Sequence, residues 1–283
     1  MKLRFVEEKF FNLLMVVSTV LIVASLVAIL VTVFIKGLPA LRLSMITQVP
    51  KGGFYLGKEG GILNAILGSL YLAGGATVLA IFISLPIVIY FNVYAPERSV
   101  FVNLCRFSLD VLWGVPSIVF GAFGFTIMLF FGLRASLLGG IIAVALLILP
   151  VMSRAMDEVV KMVPRGLLEA SYSLGATKLE TSVKVVVRQA LPGILTAVLV
   201  AFGRGIGDAA SVIFTAGFTD SIPISLMRPA ATLPLAIFFQ LGTPFPEVQE
   251  RAYASALVLT FMILVISIAA RLLTKSFTKH VIK

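Results

Sequence analysis

The sequence predicts an all-α polytopic membrane protein, and three observations carry that prediction. Hydrophobic residues make up 59% of the 283-residue chain and charged residues only 13%, about half the charged share of a soluble domain. Uncharged runs long enough to cross a hydrocarbon core of roughly 30 Å recur along the chain. The basic residues, which give a net charge of +10, fall unevenly between the segments joining those runs. A water-soluble globule and an intrinsically disordered chain are both excluded.

The predicted spans are 10–35, 60–96, 111–133, 135–153, 193–214 and 252–270, six in all. The second is longer than one crossing needs, so 62–72 reads as an interfacial or tilted start. A tight turn at Arg134 separates the third from the fourth. The stretch 229–246 is also uncharged, but it holds Pro229, Pro234, Pro244 and Pro246. A proline inside a helix costs about 3 kcal/mol, so this stretch reads as a re-entrant or surface helical piece on the outer side. The first run is too long for the apolar core of a signal peptide and lacks a small-x-small cleavage pattern, so it reads as a retained helix.

Basic residues fix the orientation. Of the 23 Lys and Arg residues, seven (Lys36, Arg42, Lys51, Lys58, Arg134, Arg228 and Arg251) fall on one side of a six-span topology. Arg204 lies within a span, and the other fifteen share the opposite side with both termini. The positive-inside rule makes that side cytoplasmic.

Cys105 is the only cysteine and His280 the only histidine. No internal disulfide, Cys-based zinc site, HExxH motif or Ser-His-Asp triad in the body of the fold is available. No GxxxxGK[ST] motif exists, so the chain cannot cradle ATP itself. No cofactor or metal is expected. A polytopic enzyme acting on a lipid phosphate would need a cluster of His, Asp or Arg at one membrane face, which the sequence does not offer.

The only sizeable polar stretch is 153–192. Pro164 opens a helix carrying Leu167, Leu168, Ala170 and Leu174. Gly175 supplies the left-handed conformation that ends helices. Thr177-Lys178-Leu179-Glu180 is a capping box that starts a second helix. Its apolar stripe is Val183, Val186, Val187 and Ala190, and Leu191-Pro192 closes it before the next span. A helix pair with exposed apolar positions implies a docking surface. A DNA-reading helix-turn-helix is disfavoured because both ends are tethered to membrane spans.

The stretch Glu169-Ala170-Ser171-Tyr172-Ser173-Leu174-Gly175-Ala176-Thr177-Lys178 resembles the EAA loop of ABC importer permeases. Glu169, Ala170 and Gly175 match the family pattern, and Ser171 replaces its second Ala. The later Ile-x-Leu-Pro group is degraded, with Val187-Arg188 standing for Leu-Pro. Three further segments resemble the PstA-type phosphate importer permeases: 114–121 (GVPSIVFG), 203–210 (GRGIGDAA) and 227–238 (MRPAATLPLAIF).

The resemblance implies a type I ABC importer (MetI-like) fold: 1–61 with the first span and outer loop, 62–275 as the transmembrane domain, and 276–283 as the tail. It implies ATPase coupling through Glu169, Ala170, Ser171, Gly175, Ala176 and Thr177. It also implies a second permease subunit (PstC type), ATPase subunits (PstB type) and a phosphate-binding protein (PstS type) as partners, in a bacterial or archaeal cell membrane. A permease for a related oxyanion, molybdate or sulfate, is the alternative.

Arg204 lies eleven residues past Gly193, roughly 16 Å along a helix and near the bilayer midplane. An arginine there costs about 2.5–3.5 kcal/mol on insertion scales, so it should face a partner or a wet path. Asp208 is expected one turn on, on the same face. Gly203 and Gly207 form a GxxxG pair that admits another helix. The two charges are the expected substrate path, with a buried salt bridge fixing helix register as the competing reading. The guanidinium would hold two phosphate oxygens, and Asp208 would accept the P–OH hydrogen bond that sulfate cannot offer. Pro116 and Gly207 are the candidate hinges of a gate, and Pro116 and Pro150 are expected to bend their helices. Asp110 reads as a solvated interface carboxylate, Cys105 as a small apolar residue at a helix start, and Asp220 and Arg228, flanking the outer segment, either as contacts for a solute-binding protein or as solvated loop charges.

Overall fold

The first uncharged run becomes a single helix, α1 (Lys2–Gly37), in a computed structural model describing residues 2–51, 59–96 and 98–277, with side chains at 7–51, 60–96 and 98–272. His280, Lys58, Lys279 and Lys283 lie outside the described residues, as do the side chains of Lys2, Arg4 and Lys275. From Glu7 to Lys36 every side chain of α1 except Val33 is exposed. The helix joins the rest of the fold at its end. A Cβ on Gly37 would sit 2.6 Å from the Tyr253 carbonyl oxygen, so only glycine permits that approach.

A short α2 (Leu43–Thr47) and a two-residue antiparallel pairing of β1 (Pro50–Lys51) with β2 (Glu59–Gly60) follow. Then comes α3 (Leu63–Ile89), which continues as a π-helical turn over Tyr90–Tyr94. Residues 62–72 are thus the first turns of one continuous helix and not a separate interfacial piece.

The third predicted span is corrected. Residues 111–133 do not form one helix. Instead α4 (Val100–Trp113) and α5 (Ser117–Phe130) meet at 103° across Gly114-Val115-Pro116. Pro116 disfavours the α conformation at the residue before it, which ends α4. The turn around Arg134 is present, and α6 (Leu137–Lys161) continues past residue 153, with Pro150 inside it, for 25 residues. It is the central helix, buried along most of its length against α3, α4 and α5. Its first backbone donors are satisfied by chain from much later: Ser136 N–H donates to Thr215 O, Leu137 N–H to Arg228 O and Leu138 N–H to Leu226 O.

Helices α7 (Arg165–Ser173) and α8 (Lys178–Glu180) form the polar loop. The second helix does not stop at Leu191-Pro192, as the sequence suggested. A π-helical stretch over Thr181–Val187 carries it into α9 (Arg188–Ile206), with Pro192 inside. The capped loop helix and the fifth span are therefore one rod. It ends at Gly207, so residues 207–214 do not belong to the span.

The prolines of 229–246 frame α10 (Leu233–Leu241), whose nine residues are too short to cross a bilayer. Thr232 caps it, the Ser69 hydroxyl accepts the Leu233 N–H at 2.8 Å, and Leu233, Leu235 and Ala236 are buried. The piece is inserted into the fold rather than laid on its surface. The last helix, α11 (Pro246–Phe277), packs on α10, α1 and α9. Among the described residues, five helices are long and apolar enough to cross a membrane, or six crossings if α4–α5 counts as one.

Candidate coupling loop and translocation face

The loop between α6 and α9 is built from local signals. Thr177 accepts the Glu180 N–H at 3.3 Å while the Glu180 carboxylate accepts the Thr177 N–H at 3.1 Å, closing both halves of the capping box. Gly175 has φ +80° and open space around its α-carbon. It lets the chain reverse between α7 and α8. The Ser171 and Thr181 hydroxyls meet at 2.9 Å, tying α7 to the π-helical stretch.

Of the predicted coupling residues, Glu169, Ala170, Gly175 and Thr177 are exposed, and Ser171 and Ala176 are half-buried. The expected apolar stripe divides. Val186 and Ala190 are buried in the core, Val187 is half-buried and Val183 faces outward, as do Leu174 of the turn, at 89%, and Leu179. No residue of α7 is buried.

The α9 rod has two opposite faces. Ala190, Ile194, Ala197, Ala201 and Gly205 are buried at helical spacing, and Gly205 meets Val144 and Ile148 halfway along α6. The exposed face holds Thr196, Val200, Gly203 and Gly207, and Arg204, seven residues on from the buried Ala197, stands at the border between the two. A Cβ at Gly203 would meet nothing within 4 Å, and one at Gly207 only the Gly203 carbonyl, at 3.5 Å. Arg204 is half-buried and has neither a hydrogen-bond nor an ion-pair partner among the described residues. An unpaired, half-buried guanidinium therefore stands between the buried stripe and the small-residue face, level with the middle of α6.

Asp208 is not where helix periodicity put it. Because α9 ends at Gly207, Asp208 stands beyond the helix, and no ion pair joins it to Arg204 among the described residues. Its Oδ2 accepts the Ser211 N–H at 2.8 Å and the Ser211 hydroxyl, capping the next turn. The expected register-fixing salt bridge is absent among the described residues for the same reason.

The second polar centre was not anticipated. Asp157 of α6 is 1% exposed. Its Oδ1 accepts from Asn92 Nδ2 at 2.8 Å and Arg106 Nη2 at 3.1 Å. Its Oδ2 faces Arg106 Nε at 2.9 Å, Arg154 Nη1 at 3.1 Å and Lys161 Nζ at 2.9 Å. Arg154 in turn holds Asp110 of α4 at 2.6 Å, so this exposed carboxylate is also an ion-pair partner of α6. The signal was present in the spacing. Arg154 and Lys161 flank Asp157 at i−3 and i+4, one helical face. Cys105 lies mid-way along α4, packed beside Phe91, Val102 and Leu109. Among the described residues no cluster of His, Cys, Asp and Glu suits a metal ion.

Residues 95–283 match the model of the binding-protein-dependent transport system inner membrane component family. The chain is 32% identical over 277 residues to the phosphate transport system permease protein PstA of Haemophilus influenzae, covering 95% of this chain and 96% of that one. It is 36% identical over 216 residues to phosphate transport system permease protein PstA 1 of Mycobacterium tuberculosis H37Rv, covering 76% and 70%. Among solved structures, the inward-facing MetNI methionine ABC transporter superposes with a TM-score of 0.61 at 17% identity, covering 76% of this chain and 95% of that chain; the likeness is one of fold. Membrane spans, exposed loop helix and sequence together place this chain in the binding-protein-dependent transport inner membrane component family, as a multi-pass ABC importer permease and not an enzyme.

Proposed function

We propose that this chain is one half of the membrane path of an ATP-driven phosphate importer. A PstC-type permease forms the other half, PstB-type ATPase subunits supply the energy, and a PstS-type binding protein delivers phosphate. Both termini and the α7 loop lie on the cytoplasmic side, which the distribution of basic residues supports. The ATPase seats on α7 around Glu169, Ala170 and Leu174, and its closure is passed on through Ser171, Gly175, Ala176 and Thr177. The conduit runs beside the Arg204 face of α9.

The observation that carries this reading is the unpaired, half-buried guanidinium of Arg204, beside the open face of α9 and level with the middle of α6. A charge in that position is stable only beside a counter-charge, water or another polar surface. A passing phosphate supplies two oxygens to its fork. The open flanks at Gly203 and Gly207 leave room for the anion and for the second permease. Asp208 Oδ1, which has no partner among the described residues, accepts a hydrogen bond from the P–OH of hydrogen phosphate. Pro116, at the 103° break, and Gly207, at the end of α9, are the hinges of the gate.

Proteoliposomes holding the assembled transporter test this directly. Arg204→Gln lowers radiolabelled phosphate uptake by roughly 10–100-fold, the worth of a charge-assisted hydrogen bond, while the complex still assembles. Normal uptake would return Arg204 to a packing role. Competition by excess sulfate and molybdate separates a phosphate carrier from one for a related oxyanion.

A further inference from the structure

We propose that the Asp157–Arg106 pair is a positioning device that couples the loop to the path. Through it, motion of α7 and α6 swings the bent α4–α5 pair against the α9 end. The inference rests on α7 being the ATPase seat.

The geometry has three parts. Asp157 lies one turn before the end of α6, and only Met162 to Pro164 separate that end from α7. Whatever pushes α7 is therefore felt first at Asp157. Second, α4 is tied to α6 at this level by two ion pairs, Arg106–Asp157 and Asp110–Arg154, and by few buried apolar side chains. Its buried apolar contacts are Val102 and Leu109 in a cluster of three with Phe91. Its other face, with Val100, Phe101, Leu104 and Phe107, is exposed. Arg106 is the side chain of α4 that reaches Asp157, through two nitrogens, and this forked contact fixes orientation as well as distance. Its guanidinium carbon lies 5.4 Å from the centre of the Phe91 ring.

Third, α5 ends up at the substrate side. A Cβ on Gly121 would lie 2.7 Å from the Ser211 carbonyl oxygen and 3.0 Å from that of Ala210. Gly124 faces Thr215. Ser211 is the residue that Asp208 caps. The α4–α5 pair thus touches the Asp157 cluster with one arm and the Asp208–Ser211 turn with the other. Arg106 lies seven residues from the end of α4 and Gly121 is the fifth residue of α5, about 13 Å apart across the bend, so a rotation of about 5° at the cluster moves the Gly121 contact by about 1 Å. Asn92, on the π-helical turn after α3, binds the same carboxylate and gives the lever a fixed side to turn against. Arg154 and Lys161, on α6 itself, keep Asp157 charged and paired when Arg106 moves.

The test uses the complete transporter in proteoliposomes with its binding protein. Phosphate imported and ATP hydrolysed are both measured. Arg106→Gln is the informative variant, because Asp157 keeps Asn92, Arg154 and Lys161 and the fold keeps its paired carboxylate. The expected result is an assembled complex with near-normal basal ATPase but at least a tenfold drop in phosphate imported per ATP. Arg106→Lys, which keeps one charged contact, recovers part of it. Asp157→Asn gives the same uncoupling if it assembles.

Wild-type stoichiometry in Arg106→Gln would overturn the proposal. So would a parallel fall of uptake, ATPase and thermal stability, which marks a purely structural pair. If the wild-type complex imports no phosphate with ATP, the proposed function fails instead, and the two failures are distinct.

Discussion

At the scale of single residues, the contrast between Arg204 and Asp157 is instructive. Both are charges in an apolar helix. Asp157 is buried among four donors, and Arg204 has no partner in its own chain among the described residues. A satisfied charge holds a structure, whereas one without a partner in its own chain marks a candidate functional site. Asp208 belongs to both groups, since one oxygen caps Ser211 and the other has no partner among the described residues. Asp208→Asn keeps an acceptor oxygen for Ser211 but loses the charge. The expected outcome is retained assembly with weakened discrimination between phosphate and sulfate, read by competitive uptake. Unchanged rejection of sulfate would remove Asp208 from the path.

At the scale of elements, the loop and the tight helix crossings make separate predictions. Gly175 at φ +80° cannot take a side chain without strain of about 1–2 kcal/mol. Gly175→Ala should therefore lower phosphate-stimulated ATPase while leaving the membrane bundle intact, as judged by detergent thermostability. Thr177→Ala removes one half of the capping box, worth about 1 kcal/mol. Hydrogen exchange at the Glu180 amide should quicken, with little change deeper in α9. The crossings are less forgiving. A Cβ on Gly68 would lie 2.0 Å from the Ala231 carbonyl oxygen. Gly68→Ala must therefore part α3 from the chain leading into α10, and size-exclusion thermostability should fall sharply.

At the scale of the whole molecule, the ends of the helices share two levels. Gly37 of α1 meets Tyr253 near the start of α11. The start of α3 meets Ala231, and the start of α6 meets Thr215 and Arg228. The ends of α3 and α6 and the middle of α4 converge on Asp157. Counting α4–α5 as one crossing puts both terminal helices' free ends on the Asp157 level. In a Cys105→Ala background, Ser173→Cys should react with a membrane-impermeant maleimide only from the cytoplasmic side, and Ser44→Cys only from outside. Both are exposed. The reverse pattern would invert the proposed orientation.

The sequence by itself determined the features whose physics is local. Hydropathy over about 20 residues marked the spans. Four residues marked the capping box, one glycine the reversal at 175, and four prolines the short helix after 232. What tertiary structure alone decided was where helices stop and which charges meet. Hydropathy carried the third span across Gly114-Val115-Pro116, where the chain in fact turns by 103°. It carried the fifth past Gly207, although three glycines and an aspartate that prefers to cap a new turn were already in the text. Both runs stay apolar through the break, so a window average does not register it. The Asp157 cluster joins positions 92, 106, 154 and 161, and only folding brings three separate elements to one carboxylate.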